Sequence, residues 1–289
     1  MEPTFVLEFA TEGAPLLIAD ATSAVHWGGT LDDGSGVLVE YMGSDVLELP
    51  KALLQKQQQG RQVKKFATLR EAQAFQQKVL AAFHELHPEA APHPKYPEAP
   101  TYYLGPTRVY SAELQFSTML DAVLKTLKSG AQVVVFDKRR KAQGLFLERE
   151  GGGPGLVVAD AKGGTLAVVS FHHRPSASAA AVAQELAAWA PPRAKARIPL
   201  DGLVFVFDAA QSQEDLARVN WQQPSLAQAV KSGLGGASNG ALRAADQRAP
   251  AGAFTRLPPG DYAISYQPDA DVGGGARVLW LSRVPSPIL

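Results

Sequence analysis

The sequence predicts an α+β fold of two similar halves, each a mainly antiparallel sheet with one or two packed helices. Two observations lead to this prediction. Short apolar runs bounded by turn residues alternate with three longer segments in which apolar residues recur every three or four positions. In addition, residues 13–21 resemble 153–161, and 133–137 resemble 204–208, in the same order. A duplicated domain and chance similarity between short apolar strands both explain this repeat.

The predicted boundary between the halves lies between residues 150 and 151, within the glycine-rich run 150–155. The first half, 1–150, contains a proline-rich loop at 88–100, where five prolines favour an extended segment. The second half is 151–289. Each half then has about the usual size of a folded domain.

Strand patterns dominate the first fifty residues. Residues 5–9 and 15–19 are short apolar runs. Residues 37–41 and 46–49 flank Gly43-Ser44-Asp45, a sequence typical of a tight turn. These patterns predict four strands, of which the last two form a hairpin.

Three segments with an apolar residue at every third or fourth position are predicted to be helices. They are residues 68–87, 112–129 and 178–190. The first carries the clearest signals, because Thr68 and Glu71 have the spacing of a capping box and Pro88 ends the helix. Gly130 is a C-terminal stop for the second helix.

The other apolar runs predict strands. Residues 133–136 and 145–147 are predicted to pair around a turn at 137–141. The remaining predicted strands are 156–160, 165–172, 203–207, 262–266 and 278–281. The chain should therefore contain more sheet than helix.

Composition excludes several classes of protein. The chain has no cysteine, which excludes disulfides, thiolate zinc sites and iron–sulfur clusters. Its 28 basic and 28 acidic residues balance, whereas a general nucleic-acid binder needs a basic excess. No apolar run has the length of a membrane span, and the acidic start Met1-Glu2 differs from a secretory signal. We therefore expect a cytoplasmic protein with no membrane or nucleic-acid partner.

Motifs for catalysis are weak. Residues 236–240 match Gly-x-Ser-x-Gly, but a polar, glycine-rich run precedes Ser238 and no histidine follows it. His84 and His87 are three residues apart on a predicted helix, a spacing that matches no common zinc motif. We therefore expect no catalytic residue, no metal site and no cofactor, and we interpret the chain as a non-enzyme.

Charge is unevenly distributed along the chain. Residues 1–100 carry a net charge of −5 and residues 101–200 a net charge of +6. Four consecutive cations form the predicted turn between two strands, here named the basic turn: Lys138, Arg139, Arg140 and Lys141. This turn is either simply solvated or a contact for an acidic partner. The corresponding acidic candidates are Asp32, Asp33, Asp45 and Glu48.

Six short segments resemble a known family when they are taken in order along the chain. They are residues 13–18, 26–29, 43–49, 202–210, 257–264 and 281–283. Their sequences and order resemble the immunity protein 21 family of bacterial polymorphic-toxin immunity proteins. The resemblance implies a non-catalytic protein that neutralises a toxin made by the same bacterium. Trp27, Gly28 and Gly29 match the family's Trp-x-Gly motif, and we expect Trp27 to be a buried structural residue.

The sequence thus predicts a cytoplasmic immunity protein that binds a cognate toxin and blocks its active site. The basic turn is the favoured contact, and the four acidic residues are the alternative contact. Two other functions remain open at this point. One is an enzyme with an unrecognised, hydrolase-like site that uses Ser238 or the helix of His84 and His87. The other is a scaffold subunit of a larger assembly.

Overall fold

The computed structural model describes residues 3–11, 13–43, 61–92, 95, 97, 99–104, 108–148, 153–160, 162–173, 175, 177–211, 226–231, 234–238, 241–243 and 252–285. The strands are β1 (Phe5–Thr11), β2 (Leu16–Asp20), β3 (Asp32–Gly43), β4 (Arg61–Phe66), β5 (Ala91–Pro92), β6 (Thr101–Leu104), β7 (Arg108–Thr118), β8 (Ala131–Asp137), β9 (Ala142–Leu147), β10 (Gly153–Asp160), β11 (Thr165–Phe171), β12 (Ala196–Leu200), β13 (Leu203–Asp208), β14 (Leu234–Ser238), β15 (Ala241–Arg243), β16 (Gly252–Arg256), β17 (Gly260–Ala270) and β18 (Ala276–Arg283). The helices are α1 (Ala21–Ala24), α2 (Leu69–Leu86), α3 (Met119–Leu124), α4 (Ala179–Ala188) and α5 (Leu226–Lys231).

These elements form three mainly antiparallel sheets with few helices, so the predicted α+β class is confirmed. The hairpin of β8 and β9 and the helices α2 and α4 lie where the sequence predicts them. Within the described residues, no helix has both the length and the apolar character needed to cross a membrane.

The chain divides into two compact units. The smaller unit is Leu31–Thr118, and the larger unit combines Met1–Thr30 with Met119–Leu289. The expected two similar halves are not confirmed, because β1 pairs with β10 and β2 pairs with β13. The N-terminal apolar runs thus pair with strands that are distant in sequence. The predicted boundary between residues 150 and 151 lies outside the described residues.

The larger unit contains two sheets that pack face to face. The six-stranded sheet has the order β1-β10-β11-β18-β17-β12, and the seven-stranded sheet has the order β15-β14-β16-β13-β2-β9-β8. Between them lies a core to which the first sheet contributes Val157 and Leu279 and the second contributes Leu16 and Val206. Alternate residues of the same strands point away from this core.

The outer faces of both sheets are also covered. Helix α4 places Val182 and Leu186 in a cluster with Trp280 of the six-stranded sheet. On the seven-stranded sheet, Trp27 and Leu120 belong to a second cluster. Because these strands are buried on both faces, their sequences are nearly continuous apolar runs.

The smaller unit is a five-stranded sheet with the order β4-β3-β7-β6-β5. Helix α2 packs on one face of it, and its Phe75 and Val79 share a core with Val39 of β3. The predicted capping box is present: Thr68 Oγ1 accepts a hydrogen bond from Glu71 N at 3.3 Å, and Glu71 Oε2 accepts one from Thr68 N at 3.3 Å. This cap fixes where the helix begins.

The predicted helix at 112–129 is wrong for most of its length. Residues 112–118 continue strand β7, and only Met119–Leu124 is helical. The burial pattern explains the difference, since Ala112 is buried and Leu114 is half-buried, whereas Glu113 and Gln115 face solvent. This period of two is that of a strand with one solvated face. The helical spacing holds only after residue 119.

The structure pairs residues 37–41 with two strands other than the predicted partner 46–49. Residues 46–49 lie outside the described residues, and both edges of β3 are occupied by other strands. Val39 pairs with Lys64 of β4 on one side and with Leu114 of β7 on the other. Because β3 lies inside the sheet, this apolar strand has a neighbour on each side, whereas a two-stranded hairpin provides only one.

Candidate functional site

The basic turn lies at the tip of a hairpin at the edge of the seven-stranded sheet. Strand β8 is the last strand of that sheet, and β9 connects it to β2. The hairpin is anchored by burial, because Leu145 and Leu147 of β9 lie in the core between the sheets. A firmly packed hairpin therefore carries the turn at its tip.

Asp137 fixes the conformation of the turn. Its Oδ1 accepts hydrogen bonds from the backbone N of Arg139 at 2.9 Å and of Arg140 at 3.1 Å. Its Oδ2 accepts a hydrogen bond from Arg140 Nη1 at 2.8 Å. An aspartate that accepts from the amides two and three residues later is a common way to stabilise a turn. Lys141 closes the turn in the left-handed region, with a φ of 56°.

The four cations of the turn therefore have two different roles. The Arg140 guanidinium is bound within the turn by Asp137. Lys138, Arg139 and Lys141 have exposed side chains and extend from a backbone that is already ordered. The sequence pattern treats the four cations alike, whereas the geometry gives Arg140 a structural role and leaves the other three side chains exposed.

We expect the turn to survive acidification below the usual titration range of aspartate. The Arg140 side-chain hydrogen bond, and next the backbone hydrogen bonds, lower the pKa of Asp137 below its ordinary value of about 3.9. A depressed carboxyl pKa stabilises the folded form above the unfolded pKa, and this stabilisation is lost as pH falls through the folded pKa. An NMR titration of the Arg139 and Arg140 amides should have its midpoint below about 3.9. Arg140→Gln should raise that midpoint, and an unchanged midpoint would contradict the assignment.

His26 lies beside this turn and was not singled out by its sequence pattern. Burial, and then the positive charge of Arg140, lower the pKa of His26, while Asp137 opposes the shift. The imidazole is therefore neutral at pH 7. The neighbouring Ser23 Oγ accepts a hydrogen bond from Gln143 N at 3.5 Å, which joins α1 to the start of β9. Only folding brings these residues to the base of the turn.

The acidic candidates divide between strand β3 and residues outside the described part of the chain. The backbones of Asp32 and Asp33 belong to strand β3 in the smaller unit. Asp45 and Glu48 lie outside the described residues. The basic turn belongs to the larger unit, and it is the charged candidate whose geometry is described in full.

Trp27 occupies the structural position predicted for it. Its side chain is only 1% exposed, and its Nε1 donates a hydrogen bond to Ala209 O at 3.0 Å. Two aromatic rings pack against it, with centroid distances of 5.1 Å to Phe136 and 5.3 Å to Phe146. The adjacent Gly28–Gly29 segment meets the start of α3, where Leu120 N donates to the Gly29 carbonyl at 3.0 Å.

The weak catalytic motifs take ordinary structural positions. Ser238 ends β14 and pairs with Ala241 of β15, which is a strand-to-strand arrangement and not the strand-to-helix turn of a nucleophile elbow. His84 is exposed and its ring lies 4.4 Å from that of Tyr102. His87 Nε2 lies 3.0 Å from the hydroxyl of Tyr110. In the described part of the chain, no group of three or more acidic or histidine side chains could hold a metal ion.

Comparison with known proteins found no matching family model, no similar curated protein and no similar solved structure.

Proposed function

We propose that this protein is a cytoplasmic immunity protein that binds a cognate bacterial toxin and blocks its active site with the basic turn. The observation that carries the proposal is the turn itself. Lys138, Arg139 and Lys141 are exposed on a backbone that Asp137 has already ordered. An ordered loop loses less conformational entropy on binding than a flexible one. This preorganisation favours insertion into a cleft of a partner.

The segments that resemble immunity proteins support the proposal as a group, because several of them contact one another. Strands β2 and β13 overlap two of these segments and pair directly, with Ile18 opposite Val206. Trp27, in a third segment, donates its indole hydrogen bond to Ala209 at the end of a second. Leu257 N, in a fourth, donates to Gly202 O at 2.7 Å. Segments that contact one another in the fold are more informative than isolated similarities in sequence.

The charge of the turn indicates the kind of toxin surface that it fits. Three cations at the tip of a narrow hairpin are complementary to a cleft lined with carboxylates, such as an active site that uses acidic residues. Long-range attraction between the two surfaces accelerates association, and salt weakens it. Once the hairpin is inserted, its cations pair with the carboxylates and its bulk excludes the substrate. No bond is made or broken, so that inhibition is stoichiometric.

The test uses the product of the gene directly upstream of the gene for this chain, which the proposal identifies as the toxin. Lys138→Glu combined with Arg139→Glu should slow its association at low salt by about tenfold or more, the range expected when electrostatic steering is removed. Arg140 is retained in this variant, since it stabilises the turn. Cells that produce the toxin should lose protection with this variant.

The matched control is Arg193→Glu combined with Lys195→Glu, which makes the same change in net charge at exposed positions elsewhere in the larger unit. This control should associate and protect almost like the parent. If both variants associate at the same rate, overall charge and not the basic turn governs binding. If the parent chain does not bind the toxin, the proposed function is wrong.

A further inference from the structure

Strand β8 forms one edge of the seven-stranded sheet. It is the terminal strand in the sheet order, and no other strand of the described residues pairs with its outer side. All of its seven residues are half-buried or exposed, whereas five of the six residues of β9 are buried. Val135 is 47% exposed. An open edge with an exposed apolar side chain can accept another strand.

The register identifies the backbone groups that face outward. Glu148 N donates a hydrogen bond to Gly130 O at 2.9 Å, and the same register continues along the hairpin to Val134 opposite Gly144. In an antiparallel pair, residues alternate between those that bond to the neighbouring strand and those that do not. Val134 therefore bonds to β9, whereas the N–H and C=O groups of Val133 and Val135 point outward.

We propose that the edge of β8 binds an extended acidic segment of the partner toxin, which adds an eighth strand to the sheet. This inference rests on the proposed immunity function and specifies how the toxin is held. We infer that the partner segment is acidic because the cations of the basic turn lie at the end of β8. A strand lying along Val133 and Val135 passes Lys138 and Arg139 at that end, and carboxylates there pair with them.

A second copy of this chain fits the same edge less well. Two β8 strands that pair antiparallel place the basic turn of each copy near the start of β8 in the other. The exposed Lys125 and Lys128 lie just before that start. Like charges would then face each other at both ends of the pairing, which is unfavourable. An acidic segment meets no such repulsion at the turn.

Amide hydrogen exchange tests the inference directly in the parent chain. On binding of the product of the gene directly upstream, the amides of Val133 and Val135 should exchange at least about tenfold more slowly, because each gains a hydrogen bond. The amide of Val134 should change little, since it is already bonded to β9. Unchanged exchange at Val133 and Val135 in a complex that still depends on the basic turn would overturn this inference alone. Absence of any complex would overturn the proposed function as well.

A pair of variants provides a second measurement. Val135→Pro removes one outward N–H, and proline is tolerated at such edge positions. It should weaken toxin binding by about tenfold, mainly through faster dissociation. Val135→Thr keeps the N–H and the β-branched shape and should bind within about threefold of the parent. Equal toxin affinities of the two variants would contradict strand addition at this edge. Concentration-dependent dimers of the parent chain that disappear in Val135→Pro would show that a second copy, and not the toxin, occupies the edge. If Val135→Pro does not fold, the exchange measurement decides.

Discussion

Replacement of Trp27 with alanine is expected to lower the free energy of unfolding by about 3–5 kcal/mol, the usual cost of deleting a large aromatic side chain from a core. The indole is almost completely buried and packs edge-on against Phe136 and close to Phe146. Its deletion leaves a cavity in the cluster that covers the outer face of the seven-stranded sheet. It also leaves the carbonyl of Ala209 without its indole donor, which adds to the cost.

Denaturant unfolding of three variants separates these contributions. Trp27→Phe keeps an aromatic ring but removes the N–H. We expect its free energy of unfolding to lie between that of the parent and that of Trp27→Ala. Trp189→Ala is the comparison at a second tryptophan, because Trp189 is half-buried and stacks on Trp280 with a centroid distance of 6.3 Å. Its loss should be smaller. If Trp27→Ala unfolds like the parent but no longer binds toxin, Trp27 belongs to the interface and not to the core.

Local patterns in the sequence predict many elements correctly. The capping box predicts where α2 begins, because both of its hydrogen bonds are made between residues three positions apart. The predicted helix at 112–129 is wrong because long-range contacts, and not local ones, determine the structure of its first residues. The helical spacing of Leu120 and Val123 is real, but the strand pairing of Ala112 and Leu114 with β3 decides the preceding residues. The intrinsic preference of these residues for helix or strand is weak, and tertiary contacts determine which of the two forms.

The pairing of strands could not be predicted from these patterns. Phe5 pairs with Ala159, and Asp20 pairs with Val204. Strands that are buried on both faces have apolar residues at every position, so no alternation indicates their register or their neighbours. The similarity between β2 and β10 reflects this shared requirement, since both strands are central in their sheets. Two buried strands can therefore resemble each other without marking a duplication.

The candidate site was only partly predictable. The sequence indicates a turn with four cations, because charged residues interrupt two apolar runs. It does not indicate that Arg140 is held by Asp137, although an aspartate at the start of a turn is the signal for such a bond. His26 comes from a different part of the chain and reaches the turn only through packing of α1 on β9. Spacing along the sequence carries no information of that kind.

A methyl group at Gly252 is expected to cost about 3 kcal/mol of stability, at the upper end of the range for overpacking a core. Gly252 pairs with Phe207, and a Cβ there would overlap the carbonyl oxygen of Val206. It would also lie 2.9 Å from the Cβ of Phe207. Neither atom can move easily, because β13 is held between β16 and β2. The backbone itself must shift to accept alanine.

Gly144→Ala is the matched variant within the same sheet. A Cβ at Gly144 would overlap only Cδ1 of Leu17, the end of a flexible side chain that can adopt another rotamer. We expect Gly144→Ala to cost about 1 kcal/mol, since part of the strain is offset by the reduced freedom of the unfolded chain. Thermal and denaturant unfolding of both variants measure the difference. Equal losses of stability in the two variants would show that β13 and β16 can separate more easily than their place inside the sheet implies. A Gly252→Ala variant more stable than the parent would show that the close approach of these strands is not required.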